Sequence, residues 1–251
     1  MILNFSIIII LGLLIGSFLN VCIYRIPRGE SINFPPSHCT NCNNRIKWYD
    51  LIPVISYLFL KGKCRYCGEK ISFRYPLIEL ITGALFGALY IEYGLSFNLV
   101  KFAFLVSLLI VLAMIDFDTT DVYLSTTLTG IISGCLFLFY SLYTGQGFLT
   151  YIYGAALGGG IIAIIILLTG GMGWGDFEIC LLCGLFLGFK LTIPMLFFSF
   201  VFGGIIGILL VITKRKSRKD YIPFGPYIAI GCIFVILFGE KIINMYLSLL
   251  M

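Results

Sequence analysis

Residues 1–28 read MILNFSIIIILGLLIGSFLNVCIYRIPR. No charged side chain falls between Ile2 and Ile23, and the first cations, Arg25 and Arg28, follow the apolar run. About 20 apolar residues suffice for a helix to cross the hydrocarbon of a bilayer. A secretory signal would carry its positive charge ahead of such a run. The stretch therefore reads as a retained anchor helix with its N-terminus outside and its C-terminus on the cytoplasmic side, where cations collect.

The rest of the chain repeats the pattern. Of 251 residues, 60% are hydrophobic and 12% charged, with mean hydropathy +1.04. Soluble domains carry about twice that charge fraction, so the bilayer must be the solvent for most of this chain. Eight apolar spans are expected, at 2–24, 77–94, 98–115, 122–143, 148–169, 177–190, 191–213 and 226–249. The sixth is short and runs almost directly into the seventh at Lys190. Alternation from an outside N-terminus puts loops 25–76, 116–121, 170–176 and 214–225 in the cytoplasm.

The cations agree with this count. Of 17 Lys and Arg, nine lie between Arg25 and Arg74, and five form the cluster Lys214, Arg215, Lys216, Arg218 and Lys219. Both groups directly flank apolar spans and land inside under the positive-inside rule. The net charge of +5 is thus accounted for by topology, and no nucleic-acid partner is expected. Glycine runs such as Gly158-Gly159-Gly160 fall within spans and read as close helix packing. They do not follow a strand, so they do not read as a nucleotide-binding loop. The expected fold is an all-α polytopic membrane protein: a first helix (1–24), a small cytoplasmic cysteine-rich domain (25–76) and a membrane domain (77–251).

Within 25–76, Cys39-Thr40-Asn41-Cys42 and Cys64-Arg65-Tyr66-Cys67 form two C-x-x-C pairs with 21 residues between them. Each pair offers two thiolates, and four complete a closed tetrahedral zinc site. A segment this small has little core, and metal binding would supply the missing stability. Disulfides are disfavoured on the reducing cytoplasmic side. His38 can substitute for a ligand, but four cysteines already suffice. Cys180 and Cys183 repeat the spacing on an apolar span and read as small buried side chains.

Acids at span edges are costly and so raise a question of function. Met114-Ile115-Asp116-Phe117-Asp118 ends the third span, with Asp121 after it, and Gly173-Trp174-Gly175-Asp176 opens the sixth. Topology places both at the cytoplasmic level. Two carboxylates brought close share a proton. The ionised one takes a proton from water and the protonated one polarises a peptide carbonyl, as in an aspartic protease. Alternatively, Asp176 only caps a helix and the other acids only solvate a loop. A cation-coupled transporter and a membrane-anchored zinc scaffold are further readings.

The motifs in series resemble the type IV prepilin peptidases, leader peptidases of the GxGD aspartyl protease group. The resemblance runs through Gly16-Ser17-Phe18-Leu19-Asn20-Val21-Cys22-Ile23-Tyr24-Arg25-Ile26-Pro27, then Ser37 to Cys42, then Asp50-Leu51-Ile52-Pro53-Val54-Ile55-Ser56-Tyr57-Leu58. It continues through Gly62-Lys63-Cys64-Arg65-Tyr66-Cys67, Ile71-Ser72-Phe73-Arg74-Tyr75-Pro76-Leu77-Ile78-Glu79 and Gly171-Met172-Gly173-Trp174-Gly175-Asp176. It covers almost the whole chain. It implies a catalytic pair of Asp116 and Asp176, with Asp118 the fallback for Asp116. It implies cleavage after a Gly of prepilin and pseudopilin precursors, removing a short basic leader at the cytoplasmic face of the bacterial inner membrane. It also implies methylation of the new N-terminal amine from S-adenosylmethionine, an activity associated in the family with the first segment and cysteine domain. Preflagellin-type peptidases share the GxGD logic but lack such a domain. Two departures stand out. Val122-Tyr123-Leu124 stands where the family often has Ile-Pro-Asp, and Glu178 stands where it often has Lys. Glu178 would raise the proton affinity of the dyad or help hold a basic leader if it faces the site.

Overall fold

The computed structural model describes residues 2–145, 147–214 and 222–250. Arg215, Lys216, Arg218 and Lys219 of the second basic cluster lie outside the described residues. Nine α-helices are found among the described ones: α1 (Ile2–Arg25), α2 (Ile55–Phe59), α3 (Arg74–Tyr93), α4 (Phe97–Thr119), α5 (Leu124–Tyr143), α6 (Leu149–Thr169), α7 (Trp174–Leu187), α8 (Phe189–Ile212) and α9 (Gly225–Leu250). Two isolated bridges, and no strand, are present among these residues.

Seven helices are long and apolar enough to cross a membrane: α1, α3, α4, α5, α6, α8 and α9. The chain is a multi-pass membrane protein on an all-α framework. Many large apolar side chains stay exposed, among them Leu136, Phe139, Leu167, Leu168 and Ile212, while Asp116, Asp176 and Glu79 are buried. This inversion of the soluble pattern is what a hydrocarbon solvent demands. The remaining expected span is α7, which has 14 residues, about 21 Å at 1.5 Å per residue. That is short of the ~30 Å hydrocarbon. The chain reverses at Gly188, whose φ of 77° and ψ of 170° suit a residue without Cβ, and α8 begins at once.

The chain divides into two compact units, Met1–Ala103 and Phe104–Met251. In the first, α1 packs antiparallel on α3. Gly12 meets Gly83 and Phe86, and Gly16 meets Glu79 and Thr82, so closely that an added Cβ would lie 2.9 Å from the Cα of Gly83 and 2.8 Å from that of Glu79. Small residues one turn apart permit such approach. Asn20 donates to the carbonyls of Gly16 (3.2 Å) and Tyr75 (3.1 Å), tying the two helices near their loop ends. Buried Arg25 turns the chain out of α1 by donating to the carbonyls of Ser31 (2.8 Å) and Pro35 (2.7 Å).

In the second unit, α7 is the central element and touches α5, α6, α8 and α9. It runs antiparallel to α6, with Gly154 against Gly184, Gly158 against Cys180 and Gly159 against Phe177. It runs parallel to α5, where Gly130 and Gly134 accept Leu182 and Leu185. Phe104 of α4 stacks on Phe186 of α7 (6.4 Å between centroids, 7° between planes). From that contact α4 continues 12 residues to Asp116, and α7 extends back 10 residues to Asp176. At 1.5 Å per residue these are rises of about 18 and 15 Å, so the packing register delivers both acids to one level.

Candidate functional site

Asp116 lies within α4, which continues to Thr119 and not, as the hydropathy suggests, only to 115. The extra turn is closed by the Thr119 hydroxyl donating to the Ile115 carbonyl (2.9 Å) and by Thr120 at φ 59°. Asp116 is therefore helical, and it is 3% exposed. Its Oδ2 accepts the backbone N–H of Gly225, the first residue of α9 (2.8 Å). Asp118, about 200° further round the helix, is exposed.

Asp176 is 4% exposed and lies in the first turn of α7. Its Oδ2 accepts the backbone N–H of Gly173 (3.2 Å). This is one half of a capping box, and Gly173 has no side chain to make the other half. The helix-capping role considered for Asp176 is thus real, and it holds the carboxylate in place. A Cβ on Gly225 would lie 2.6 Å from Asp116 Oδ2 and 3.2 Å from Ile179 Cδ1. Ile179 follows Asp176 by less than one turn, so the ends of α4, α7 and α9 converge.

Val122 lies against Gly175, where no side chain could be added without collision. The segment that departs from the family pattern thus packs on the turn that carries Asp176. Glu178 lies about 200° round α7 from Asp176, away from the face that carries the acid. Its Oε2 is buried and has no hydrogen-bond partner among the described residues. Gly225 was not singled out by sequence reasoning, and Val122 was noted only as part of the departing segment Val122-Tyr123-Leu124. The signal for Gly225 was its place between Pro223 and Pro226 at the head of a span, the kind of punctuation that marks a chain entry.

The second constellation belongs to the first unit. The Sγ atoms of Cys39, Cys42, Cys64 and Cys67 lie within 4.8 Å of one another. Cys39 and Cys67 are 3.8 Å apart, and Cys42 and Cys64 are 4.0 Å apart. Tetrahedral vertices about 2.3 Å from a central ion are about 3.8 Å apart, so the cluster fits one thiolate-bound metal. All four thiols are free, far beyond the ~2.05 Å of a disulfide.

The two C-x-x-C pairs share one backbone design. The N–H of each first cysteine donates to a carbonyl five residues on (Cys39 to Asn44, 3.0 Å; Cys64 to Glu69, 2.8 Å). The N–H four residues on donates back to that cysteine (Asn43, 2.9 Å; Gly68, 3.0 Å). The residue after each pair takes positive φ, Asn43 at 56° and Gly68 at 73°, which Asn and Gly tolerate best. The thiol of Cys64 is drawn down to about 7, chiefly by the backbone N–H of Cys67 and then that of Tyr66. Arg65 makes a bidentate pair with Asp50 (2.8 and 2.5 Å) and holds its carboxyl below the usual range. His38 is not among the clustered groups; its Nδ1 lies 3.0 Å from the Pro36 carbonyl. Cys180 and Cys183 are fully buried on α7.

Comparison with known proteins supplies the lineage. The sequence profile described as Bacterial Peptidase A24 N-terminal domain matches residues 10–93, and that of the Type IV leader peptidase family matches residues 103–208. A prepilin leader peptidase/N-methyltransferase of Bacillus subtilis (strain 168) is 36% identical over 253 residues, covering 97% of this chain and 98% of that protein. A protein of the same description from Neisseria gonorrhoeae is 37% identical over 255 residues (88% and 86%). Another, from Pseudomonas putida, is 31% identical over 269 residues (96% and 93%). No solved structure matches. With relatives this similar along nearly their full length, the chain belongs to the type IV leader peptidase family.

Proposed function

We propose that this protein is a membrane-embedded aspartyl endopeptidase that removes the short basic leader from type IV prepilins and pseudopilins, and that it N-methylates the residue so exposed. The observation that carries the proteolytic reading is the convergence, around Gly225, of the helix ends that bear two buried carboxylates, Asp116 on α4 and Asp176 on α7. The names of the relatives give the substrate class and the second activity. A transporter finds no support, since the relatives carry peptidase names and the acids lie at helix ends rather than mid-span.

The precursor's apolar segment lies in the bilayer and its basic leader in the cytoplasm, with the scissile peptide beside the two acids. The ionised carboxylate takes a proton from water as the oxygen attacks the carbonyl carbon. The protonated carboxylate gives its proton to the carbonyl oxygen. Collapse of the tetrahedral adduct breaks the C–N bond and restores the C=O; the amine leaves with a proton and the leader with a carboxyl group. Gly225 and Gly173 hold the acids by backbone N–H groups. No metal takes part in this step.

Zinc is the ion proposed for Cys39, Cys42, Cys64 and Cys67, a closed four-thiolate set that leaves no open coordination position and is therefore structural. S-adenosylmethionine, when bound, would supply the methyl group for the new N-terminal amine from its sulfonium, leaving as the thioether while the amine gives up a proton. The protein works in the bacterial inner membrane with its active site facing the cytoplasm; its partners are prepilin precursors and lipid, and no nucleic acid. The test is processing of a pilin precursor by membranes holding the parent, Asp116→Asn or Asp176→Asn at matched amounts. Processing by the parent alone is expected; equal processing by all three would remove the dyad from the mechanism.

A further inference from the structure

The first unit contains a cavity of about 470 Å³, within the ~300–1,000 Å³ that small-molecule sites occupy. Its walls include Asn20 and Tyr24 of α1, Tyr57 and Tyr66 of the cysteine domain, and Tyr75 and Glu79 of α3. Two of the cluster cysteines, Cys39 and Cys64, also reach it.

Glu79 contributes a buried carboxyl group to this wall. It is 8% exposed, and its Oε2 accepts the backbone N–H of Val54 at 2.7 Å. That donor is neutral, and no ion-pair partner for Glu79 is found among the described residues. Glu69 and Lys70 of the cysteine domain also line the cavity. Arg65 and Asp50 neutralise each other, and Arg25 donates to two backbone carbonyls. A buried carboxylate without a counter-charge is costly.

The backbone behind Glu79 is strained. Val54 has φ 62° and ψ −50°, and Ile55 N–H donates to the Pro53 carbonyl (2.6 Å). This is a γ-turn of the rare positive-φ kind, in a β-branched residue that avoids this region. Such strain persists where surrounding structure enforces it, and it concentrates at ligand-binding places. Here it aims an N–H at one oxygen of a carboxylate that lines a cavity.

We propose that this cavity binds the methyl donor, with Glu79 facing its sulfonium charge and the tyrosines lining the space for its aromatic and cationic parts. This rests on the methylation reading above and adds the place and the recognising residue. An organic cation of this size meets the three features together: an unpaired buried carboxylate, aromatic walls and a nucleoside-sized volume. If Glu79 only anchors the γ-turn, it will not distinguish a sulfonium from a thioether.

The test is equilibrium dialysis of purified full-length protein against labelled S-adenosylmethionine and, separately, the uncharged-sulfur product S-adenosylhomocysteine. The parent is expected to prefer the sulfonium about tenfold, the size of one charge-assisted contact. Glu79→Gln is expected to lose that preference while keeping its zinc content and its affinity for the thioether. Glu79→Gln that keeps both zinc and the sulfonium preference would overturn the assignment. If that variant does not fold, ultraviolet crosslinking of labelled S-adenosylmethionine to the parent decides. Adducts on Tyr24, Tyr57, Tyr66 or Tyr75 support the site, and adducts elsewhere remove it while leaving methylation intact. A parent that neither binds the donor nor methylates its product takes down the methylation reading and the site together.

Discussion

The backbone N–H of Gly225 donates a 2.8 Å hydrogen bond to Oδ2 of Asp116, across 109 positions of sequence. The start of α9 is thereby fitted to the end of α4, and the fit leaves no room for a Cβ, which would lie 2.6 Å from that oxygen. Gly225→Ala should displace the carboxylate. A displacement approaching 1 Å at a reacting group costs up to about 100-fold. Initial rates of precursor cleavage should fall about 10- to 100-fold, whereas Gly204→Ala, with nothing within 4 Å, should cleave as the parent does.

The two acids at the end of α4 should separate cleanly in function. Asp116 is buried and Asp118 is exposed on another face of the same helix. Asp116→Asn should lower cleavage by at least ~100-fold, the size of a lost acid–base group. Asp118→Asn should stay within about threefold, as a surface change normally does. Reversed magnitudes would exchange the two residues.

Position of Asp176 depends on how closely α6 and α7 approach. A Cβ on Gly154 would lie 2.5 Å from the Gly184 carbonyl oxygen, and one on Gly184 would collide with Gly154 in turn. Gly184→Ala should cost about 1–3 kcal/mol by overpacking and lower the melting temperature in detergent. Gly160→Ala, on the same helix pair but with open space around it, should be neutral or mildly stabilising. Equal melting of the two variants would mean that the helices part without cost.

Metal content gives an independent check on the first unit. The parent should hold about one zinc per chain, and Cys64→Ser should hold well under half of that, because removing one of four thiolates opens the site. Elemental analysis after dialysis reads this directly. Protease sensitivity should rise between Ser37 and Ser72, the segment whose turns surround the cysteines. Full zinc retention by Cys64→Ser would exclude the four-cysteine site.

The sequence by itself determined the membrane class, seven of the spans to within a few residues, and the pairing of Cys39-Cys42 with Cys64-Cys67 as one cluster. These follow from local quantities: the run length of apolar residues, the flanking cations and a two-residue spacer between thiols. Motif resemblance, rather than chemistry read from the residues, preferred Asp116 to Asp118. Only the tertiary structure decided that α4 extends past Asp116, that Gly225 meets it, that Glu178 turns away from Asp176, and that Val54 is bent toward Glu79. The physical reason is the solvent. In water a helix advertises its buried face by an apolar stripe, but lipid is as apolar as a protein core. Here α6, and α4 and α8 between their charged ends, carry apolar side chains on every face, so periodicity is silent about which face meets a neighbour. Register and facing are then set by glycine contacts and ring stacking, such as Gly154 on Gly184 and Phe104 on Phe186, and these exist only once the chain has packed.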